Sequence, residues 1–160
     1  MGAMKPVTKK TLVKLRAFKI ADMNQILEVE EQAFPKTPYS REILLAYTNS
    51  PTHRFVVLEE NKHLLGYIIY SKGGHVISMA VKQGDRRKGF GKILFRWALE
   101  DTEERLWLEV RSKNDSAIRF YESMGMETIG NTPGYYGDDD ALILTLQKKQ
   151  KEREVKENEE

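Results

Sequence analysis

The sequence predicts a single α/β domain of the α+β kind, with a mixed central sheet of about seven strands flanked by about four helices. Short segments rich in β-branched and aromatic residues dominate the first half, and segments with apolar residues at helical spacing are interleaved with them. The chain has 160 residues, of which 40% are hydrophobic. That length suffices for one well-buried core and is too short for two ordinary domains.

The chain begins with a strand that is followed by a helix. The segment 10–19 alternates enough to form the strand, and its inward-facing residues are expected to be Leu12, Leu15 and Phe18. Asp22 can cap the helix that follows. The helix is indicated by positions that are mostly at helical spacing, namely Met23, Ile26, Leu27, Val29, Glu30 and Ala33.

Prolines divide the next part of the chain into separate elements. Pro35 and Pro38 end the first helix, and Ser40 caps a short second helix. Two apolar strands, 54–59 and 64–70, then form a hairpin.

A turn rich in glycine and cations joins a strand at 75–81 to a helix that includes 93–99. The turn contains Arg86, Arg87, Lys88, Gly89, Phe90, Gly91 and Lys92. The start of a helix presents unpaired backbone N–H groups and the positive end of the helix dipole, and glycine lets an anion approach the backbone closely. The turn is therefore predicted to bind a pyrophosphate.

Two familiar phosphate-binding patterns do not fit this turn. Phe90 stands where a P-loop requires lysine, and Leu94 stands where a dinucleotide-binding fingerprint requires a third glycine. The pattern that remains is Arg-x-x-Gly-x-Gly at Arg86, Gly89 and Gly91. Taken alone, it leaves open an ordinary surface turn with solvated charges.

The second half continues the alternation of strand and helix. The segment 106–126 reads as a strand, a cap at Asn114, a helix and a glycine stop at Gly125. Two further strands are expected at 126–129 and 141–146.

Several classes of site are excluded or disfavoured. The chain has no cysteine, which excludes disulfides, thiolate metal sites and a cysteine nucleophile. His53, His63 and His75 lack metal-ligand spacing, so we expect surface or loop histidines and no bound metal. The acidic run 138–140 lacks the pattern of a calcium loop, and we expect a solvated turn or an attractor for a cationic substrate.

Charge and hydropathy restrict the partners of the protein. The net charge of +2 argues against general nucleic-acid binding. No apolar run approaches membrane-spanning length, and the first residues lack the apolar core of a signal peptide. We therefore expect a cytoplasmic protein with neither nucleic-acid nor membrane partners.

Two segments of the second half carry a family resemblance. The runs Leu-Glu-Val-Arg-Ser-Lys-Asn at 108–114 and Ala-Ile-Arg-Phe-Tyr-Glu-Ser-Met-Gly at 117–125, with Arg-x-x-Gly-x-Gly upstream, resemble the GNAT superfamily of acetyl-CoA-dependent N-acetyltransferases. The likeness is strongest to the protein N-terminal acetyltransferases, especially the ribosomal-protein alanine N-acetyltransferases. It covers 12–147, which leaves 1–11 as an N-terminal extension and 148–160 as a charged tail.

The resemblance implies the GNAT fold and a place for acetyl-CoA. Two central parallel strands ending near Val81 and Arg111 would splay apart and admit the pantetheine arm between them. The backbone contacts to that arm would come from Met79, Ala80 and Val81, and the pyrophosphate would lie on the glycine-rich turn. Asn114 is at the position where members of the family have a residue that contacts coenzyme A. It can also cap the following helix, or do both.

The resemblance places the general base at Glu109. Strand alternation puts Glu109 on one face with Trp107 and Arg111, where a carboxylate is costly unless it is used or paired. The alternative is a structural ion pair between Glu109 and Arg111. A backbone N–H near Val81 would stabilise the developing oxyanion.

The resemblance places the proton donor for the departing thiolate at Tyr121. A tyrosine with its ordinary pKa near 10 is protonated at neutral pH, as an acid must be. The alternative is a core aromatic residue, because Tyr121 shares a helical face with Ala117, Phe120 and Met124.

The acceptor is expected to be the N-terminal α-amine of a protein. An α-amine has a pKa near 8 and a lysine side chain one near 10.4, so at pH 7 about a tenth of the former but only about four in ten thousand of the latter are deprotonated. Two segments resemble loops that clamp the peptide backbone in N-terminal acetyltransferases, and their residues are Phe34, Pro35, Tyr39, Tyr135 and Tyr136.

The expected partners are protein N-termini, with those of ribosomal proteins as one candidate, and the chain is expected to be a monomer or a weak dimer. The second clamp loop departs from the bacterial pattern, because it is shorter and has three aspartates before Ala141. Two alternatives stay open: acetylation of lysine side chains or a small amine, and a non-catalytic acetyl-CoA-binding module.

Overall fold

The computed structural model describes residues 12–149, and in them seven strands and four α-helices form the domain. The strands are β1 Val13–Ala17, β2 His53–Glu60, β3 His63–Ser71, β4 Val76–Val81, β5 Arg105–Arg111, β6 Glu127–Thr132 and β7 Ala141–Gln147. The helices are α1 Met23–Ala33, α2 Arg41–Thr48, α3 Phe90–Asp101 and α4 Asp115–Ser123. The expected N-terminal extension and, beyond residue 149, the charged tail lie outside the described residues.

The strands form two antiparallel sheets that meet along one line. One sheet has the order β1-β2-β3-β4 and the other β5-β7-β6. A single parallel bridge, His75 to Trp107, connects β4 with β5, and the Trp107 N–H donates to the Gly74 carbonyl at 2.9 Å. Within the described residues no ladder joins the two strands beyond that bridge. The expected α+β fold with parallel central strands that splay apart is therefore confirmed, although the strands are divided between two antiparallel sheets instead of forming one mixed sheet.

Helices cover both faces of the first sheet. On one face, α1 and α2 bury Ile26 and Leu44 against the strands, and on the other α3 buries Phe95. Strand β3 lies between them and is buried over nearly its whole length, which explains its continuous apolar sequence. No helix among residues 12–149 is both long and apolar enough to cross a membrane.

Two expectations near the start of the chain are wrong. Leu12 is 84% exposed, because the strand begins only at Val13. Asp22 directly precedes α1, but its carboxylate makes no capping bond to that helix. It accepts instead from the Lys19 N–H at 2.8 Å and pairs with Arg16 at 2.7 Å, so it stabilises the short 3₁₀ turn before α1. The hydrogen bond from Arg16 lowers the pKa of Asp22.

Other local expectations are confirmed. The Ser40 hydroxyl accepts from the Ile43 N–H at 3.3 Å and so caps α2. The hairpin β2–β3 turns at Asn61 and Lys62, whose φ values of 50° and 67° are those of the tight turn that matches the twist of a hairpin.

Gly74 is expected to be indispensable where the two sheets meet. Its φ is +95°, and a Cβ added there would lie 1.9 Å from the backbone oxygen of Arg105. Because both the backbone conformation and the space exclude a side chain, Gly74→Ala should lower the free energy of unfolding by about 2–4 kcal/mol, measured by urea denaturation.

Gly73 provides the matched control for that substitution. An added Cβ at Gly73 would meet nothing closer than 3.8 Å, so Gly73→Ala should change the stability by less than about 1 kcal/mol. Equal effects of the two substitutions would contradict this account of the junction.

Candidate active site

The gap between β4 and β5 is the central feature of the site. Strand β4 lies in register with β3 on one side only, with Lys82 donating to the Leu65 carbonyl at 2.7 Å, so Met79 and Val81 are at the alternate positions whose backbone groups face the gap. On its other side β5 has moved away after the bridge at His75. A strand edge left free in this way can pair with an extended amide chain, which then lies in the sheet as an added strand.

The turn between β4 and α3 begins where β4 ends, next to this gap. Arg87 and Gly89 have φ values of 64° and 87°, and α3 begins at Phe90 with the unpaired amides of a helix start. The Arg86 side chain donates to the Val81 carbonyl at 3.2 Å and so ties the turn to the strand end. Lys88 lies 3.3 Å from Asp85. The turn thus has the backbone shape and the charge that suit a phosphate group.

Gly91 has a packing role that the sequence did not indicate. A Cβ added there would lie 3.2 Å from two ring atoms of Phe120 in α4. Gly91 therefore permits the close approach of α3 and α4, so a bulky substitution would disturb this packing as well as the turn. No atom lies within 4 Å of the corresponding position at Gly89.

Glu109 projects from β5 at the place where the strands separate. The expected alternation is confirmed: Leu108 and Val110 are buried on one face, while Glu109 is partly exposed on the other. The Glu109 carboxylate is hydrogen-bonded to His75 Nε2 at 2.7 Å. The His75 ring also stacks on Trp107, with centroids 3.8 Å apart and planes inclined by 6°. These contacts fix the orientation of the carboxylate.

The sequence did not indicate His75 as the partner of Glu109, and the role of Glu109 as general base stays a prediction. The alternative, an ion pair between Glu109 and Arg111, is wrong, because Arg111 pairs with Asp138 at 2.7 Å and lies 4.3 Å from the centroid of the Tyr136 ring. His75 was expected to be a surface or loop histidine, but it is partly buried and hydrogen-bonded to Glu109. The contact between His75 and Glu109 could not be predicted, because the register between two strands joined by a long crossover cannot be derived from the sequence of either strand.

Tyr121 lies on α4 and has a tyrosine neighbour from the β6–β7 loop. Its ring packs against Phe95 and Phe120, with centroids 6.3 and 5.3 Å away. Burial and the nearby Tyr136 raise the pKa of Tyr121 to about 12. Burial also raises the pKa of Tyr136, and the charge of Glu109 adds to that effect. The centroid of the Tyr136 ring lies 4.3 Å from Arg111, which is on the same face of β5 as Glu109.

The acidic run in the β6–β7 loop is not a solvated turn. Asp139 is only 7% exposed and accepts from the Ser112 hydroxyl and from the Lys113 N–H. These hydrogen bonds lower its pKa, the one from Ser112 most strongly. Asp140 accepts from the Gly134 N–H at 2.8 Å. The aspartates therefore hold the shape of the loop that carries the two tyrosines.

The two tyrosine-bearing loops face each other. Lys36 in the α1–α2 loop lies 3.8 Å from Asp138 in the β6–β7 loop. Burial raises the pKa of Tyr39, and Tyr135 of the opposite loop is among the neighbours that add to this shift. In the same loop as Tyr39, Phe34 packs on the core and Pro35 is exposed.

The family profile of the GNAT acetyltransferases matches residues 20–126. The chain belongs to the GNAT acetyltransferase family. An uncharacterized N-acetyltransferase of Methanocaldococcus jannaschii is 35% identical over 144 residues, which are 84% of this chain and 91% of the relative. N-alpha-acetyltransferase RimI of Mycobacterium tuberculosis is 27% identical over 89% of this chain and 92% of its own length.

The structure of the ribosomal-protein-S18-alanine N-acetyltransferase from Escherichia coli has the same fold. Its TM-score is 0.75 at 24% identity, with 86% of this chain and 94% of that chain covered. The resemblance noted in the sequence is thereby confirmed, and this GNAT protein is an acetyl-CoA-dependent acetyltransferase.

The residues of this GNAT acetyltransferase fit acetyl-CoA at the gap and the turn. The free edge of β4 suits the amide arm, and the helix start after Gly89 suits the phosphates. Asn114 is exposed, and its side chain accepts from the Ala117 N–H at 3.2 Å, so the alternative role of helix cap is present. Its contact with coenzyme A stays a prediction. Among residues 12–149, no cluster of three His, Asp or Glu side chains could hold a metal ion.

Proposed function

We propose that this acetyltransferase acts on the N-terminal α-amine of protein substrates. The observation that carries the proposal is the pair of facing loops with Tyr39 on one side and Tyr135 and Tyr136 on the other, next to Glu109. Tyrosine hydroxyls can bind main-chain groups of a peptide without selecting its side chains. The names of the relative from M. tuberculosis and of the structure from E. coli, an N-alpha- and an alanine N-acetyltransferase, support this substrate class.

We propose that the cofactor is held by the backbone of β4 and by the glycine-rich turn. Acetyl-CoA supplies the acetyl thioester. Met79, Ala80 and Val81 offer backbone groups to its amide arm. The pyrophosphate is bound by the turn, whose residues are Arg86, Arg87, Lys88, Gly89, Phe90, Gly91 and Lys92. The Val81 N–H donates to the thioester oxygen, where negative charge develops.

The proton transfers are assigned to two residues, Glu109 on β5 and Tyr121 on α4. Glu109 accepts the proton of the attacking amine, directly or through a water, while His75 keeps its carboxylate in place. Tyr121 donates its hydroxyl proton to the departing sulfur and retains it until then, because its pKa is raised to about 12. The peptide is positioned by Tyr39, Tyr135 and Tyr136, with Phe34 and Pro35 beside the first residue.

A peptide with a free N-terminus and an internal lysine separates the candidate acceptors. We expect mass spectrometry to find the acetyl group on the α-amine, because this amine is about two hundred times more often deprotonated at pH 7. The matched control is the same peptide with a blocked N-terminus, which should not react. Acetylation of the lysine alone would contradict the proposal and favour the side-chain alternative, and no turnover with any amine would favour a non-catalytic module.

The contribution of the second loop can be measured on the same peptide. Tyr136→Ala should raise the KM for the peptide about tenfold, corresponding to the loss of one well-placed hydrogen bond, and leave the KM for acetyl-CoA unchanged. An equal rise for both substrates would indicate that the substitution disturbs the gap and not the peptide site.

The cofactor assignment predicts that Gly89→Val weakens acetyl-CoA binding about 10- to 100-fold, measured by calorimetry. The new side chain would point into the space that a phosphate needs, and no protein atom opposes it within 4 Å. The matched control is Gly137→Val, which has a similar left-handed φ of +81° and also meets open space but lies in the β6–β7 loop, so this variant should bind acetyl-CoA normally. Unchanged affinity in folded Gly89→Val protein would refute the assignment.

A further inference from the structure

Glu30 is a buried carboxylate that the proposed chemistry does not use. It projects from the core-facing side of α1 and is 1% exposed. A carboxyl group at this depth is costly unless its oxygens are hydrogen-bonded. One oxygen accepts from the Tyr39 N–H at 2.9 Å, and the other contacts the hydroxyls of Tyr67 and Ser78. Within the described residues it has no ion-pair partner.

The partners of Glu30 come from both sides of the acceptor site. Tyr39 lies in the α1–α2 loop, which forms one wall of the site. Ser78 lies in β4, directly before Met79 at the gap. Tyr67 lies in β3 and is paired in register with Ala80 of β4. Glu30 therefore connects the loop to the strand against which the acetyl group is to be held.

Phe34 and Tyr39 of the α1–α2 loop pack on the core and Lys36 pairs with Asp138, but few backbone hydrogen bonds attach the loop. Pro35 and Pro38 have no amide hydrogen to donate. Thr37 donates to Phe34 at 3.2 Å, but this hydrogen bond stays within the loop. The bond from Tyr39 to Glu30 spans the loop and the helix end, and thus fixes the position of the tyrosine relative to the core.

We propose that Glu30 is a positioning residue that holds the Tyr39 loop against β4 and thereby sets the affinity for the acceptor peptide. This inference rests on the proposed function. Glu30 itself does not touch the reacting atoms. It acts by holding the Tyr39 backbone at a fixed distance from the strand that binds the thioester.

Three substitutions of Glu30 test this role. Glu30→Ala removes both acceptors, and we expect the KM for the peptide to rise about tenfold while the affinity for acetyl-CoA stays unchanged. Glu30→Gln keeps one carbonyl for the Tyr39 N–H, and the two hydroxyls can turn to accept from its amide group. It should therefore restore the peptide KM to within about threefold of the original value. Glu30→Met fills the volume without any acceptor and replaces the alanine variant if that one does not fold.

Tyr67→Phe is the matched control. It removes a partner of the same carboxylate from inside the sheet and leaves the bond to the Tyr39 N–H in place. We expect a lower free energy of unfolding and an unchanged peptide KM. Hydrogen exchange of the Tyr39 amide should accelerate in Glu30→Ala and stay slow in Tyr67→Phe.

The outcomes separate the inference from the proposed function. If the unsubstituted protein does not acetylate the peptide on its α-amine, both the proposed function and the inference fail. If it does, and folded Glu30→Ala or Glu30→Met keeps the original peptide KM, only the inference is overturned. A raised KM that Glu30→Gln restores and Tyr67→Phe does not reproduce supports the positioning role.

Discussion

Glu109→Gln is expected to lower kcat/KM by about 10²–10⁴-fold, the range found for removing a general base. Glutamine has the same shape and can keep a hydrogen bond to His75, but its amide cannot accept the proton of the amine. The packing of β5 should therefore survive, and the affinity for acetyl-CoA should stay the same. Steady-state kinetics with the peptide and calorimetry with acetyl-CoA measure the two quantities.

Glu103→Gln is the control for loss of a carboxylate. Glu103 is exposed just before β5, so its substitution should leave kcat/KM unchanged. If Glu109→Gln keeps nearly full activity and loses stability instead, the bond between Glu109 and His75 is a structural contact, and the base must be sought elsewhere.

Tyr121→Phe is expected to lower kcat about 100-fold or more, because it removes the proton donor for the thiolate and keeps the ring contacts with Phe95 and Phe120. Stability near neutral pH should change little. The effect should be constant from pH 6 to about pH 10, because the pKa of Tyr121 is raised to about 12 and the donating form persists there.

The raised pKa of Tyr121 also fixes the sign of its effect on stability. The folded state binds this proton more tightly than the unfolded chain, whose tyrosines have a pKa near 10. Its contribution is therefore complete below pH 10 and is lost as the pH rises towards 12. In Tyr121→Phe this part of the alkaline loss should disappear.

Tyr70→Phe is the control for loss of a tyrosine hydroxyl. The Tyr70 hydroxyl donates to the Asp101 carboxylate at a distance of 2.7 Å, and neither residue belongs to the proposed site. This substitution should therefore lower stability and leave kcat unchanged. Equal kcat values for Tyr121→Phe and the original protein, with the chemical step limiting the rate, would assign Tyr121 to the core alone.

The sequence predicted the elements well where the signal is local. The cap at Ser40, the hairpin turn at Asn61 and Lys62, and the helix that begins after Asn114 depend on residues only a few positions apart. The alternation that puts Glu109 on the open face of β5 is equally local. Such features follow from period and capping alone.

The contacts of the site that could not be predicted are non-local. His75 meets Glu109, and Arg111 meets Asp138, because of how two strands and a loop are placed in space. The single bridge that sets the register of β4 and β5 leaves no pattern in either strand. Glu30 is different, because a carboxylate among the buried positions of a helix is itself a sign that the fold uses it to accept hydrogen bonds from buried donors.

The single bridge between β4 and β5 also has a thermodynamic consequence. Among residues 12–149 the two sheets are connected by one backbone bridge and share a core of packed side chains, so few backbone hydrogen bonds cross the line between them. A ligand that pairs with the free edge of β4 adds bonds along this line. At a concentration of 100 times its Kd it would add about 2.7 kcal/mol to the free energy of unfolding. The added stability would thus be concentrated along the line where the two sheets meet.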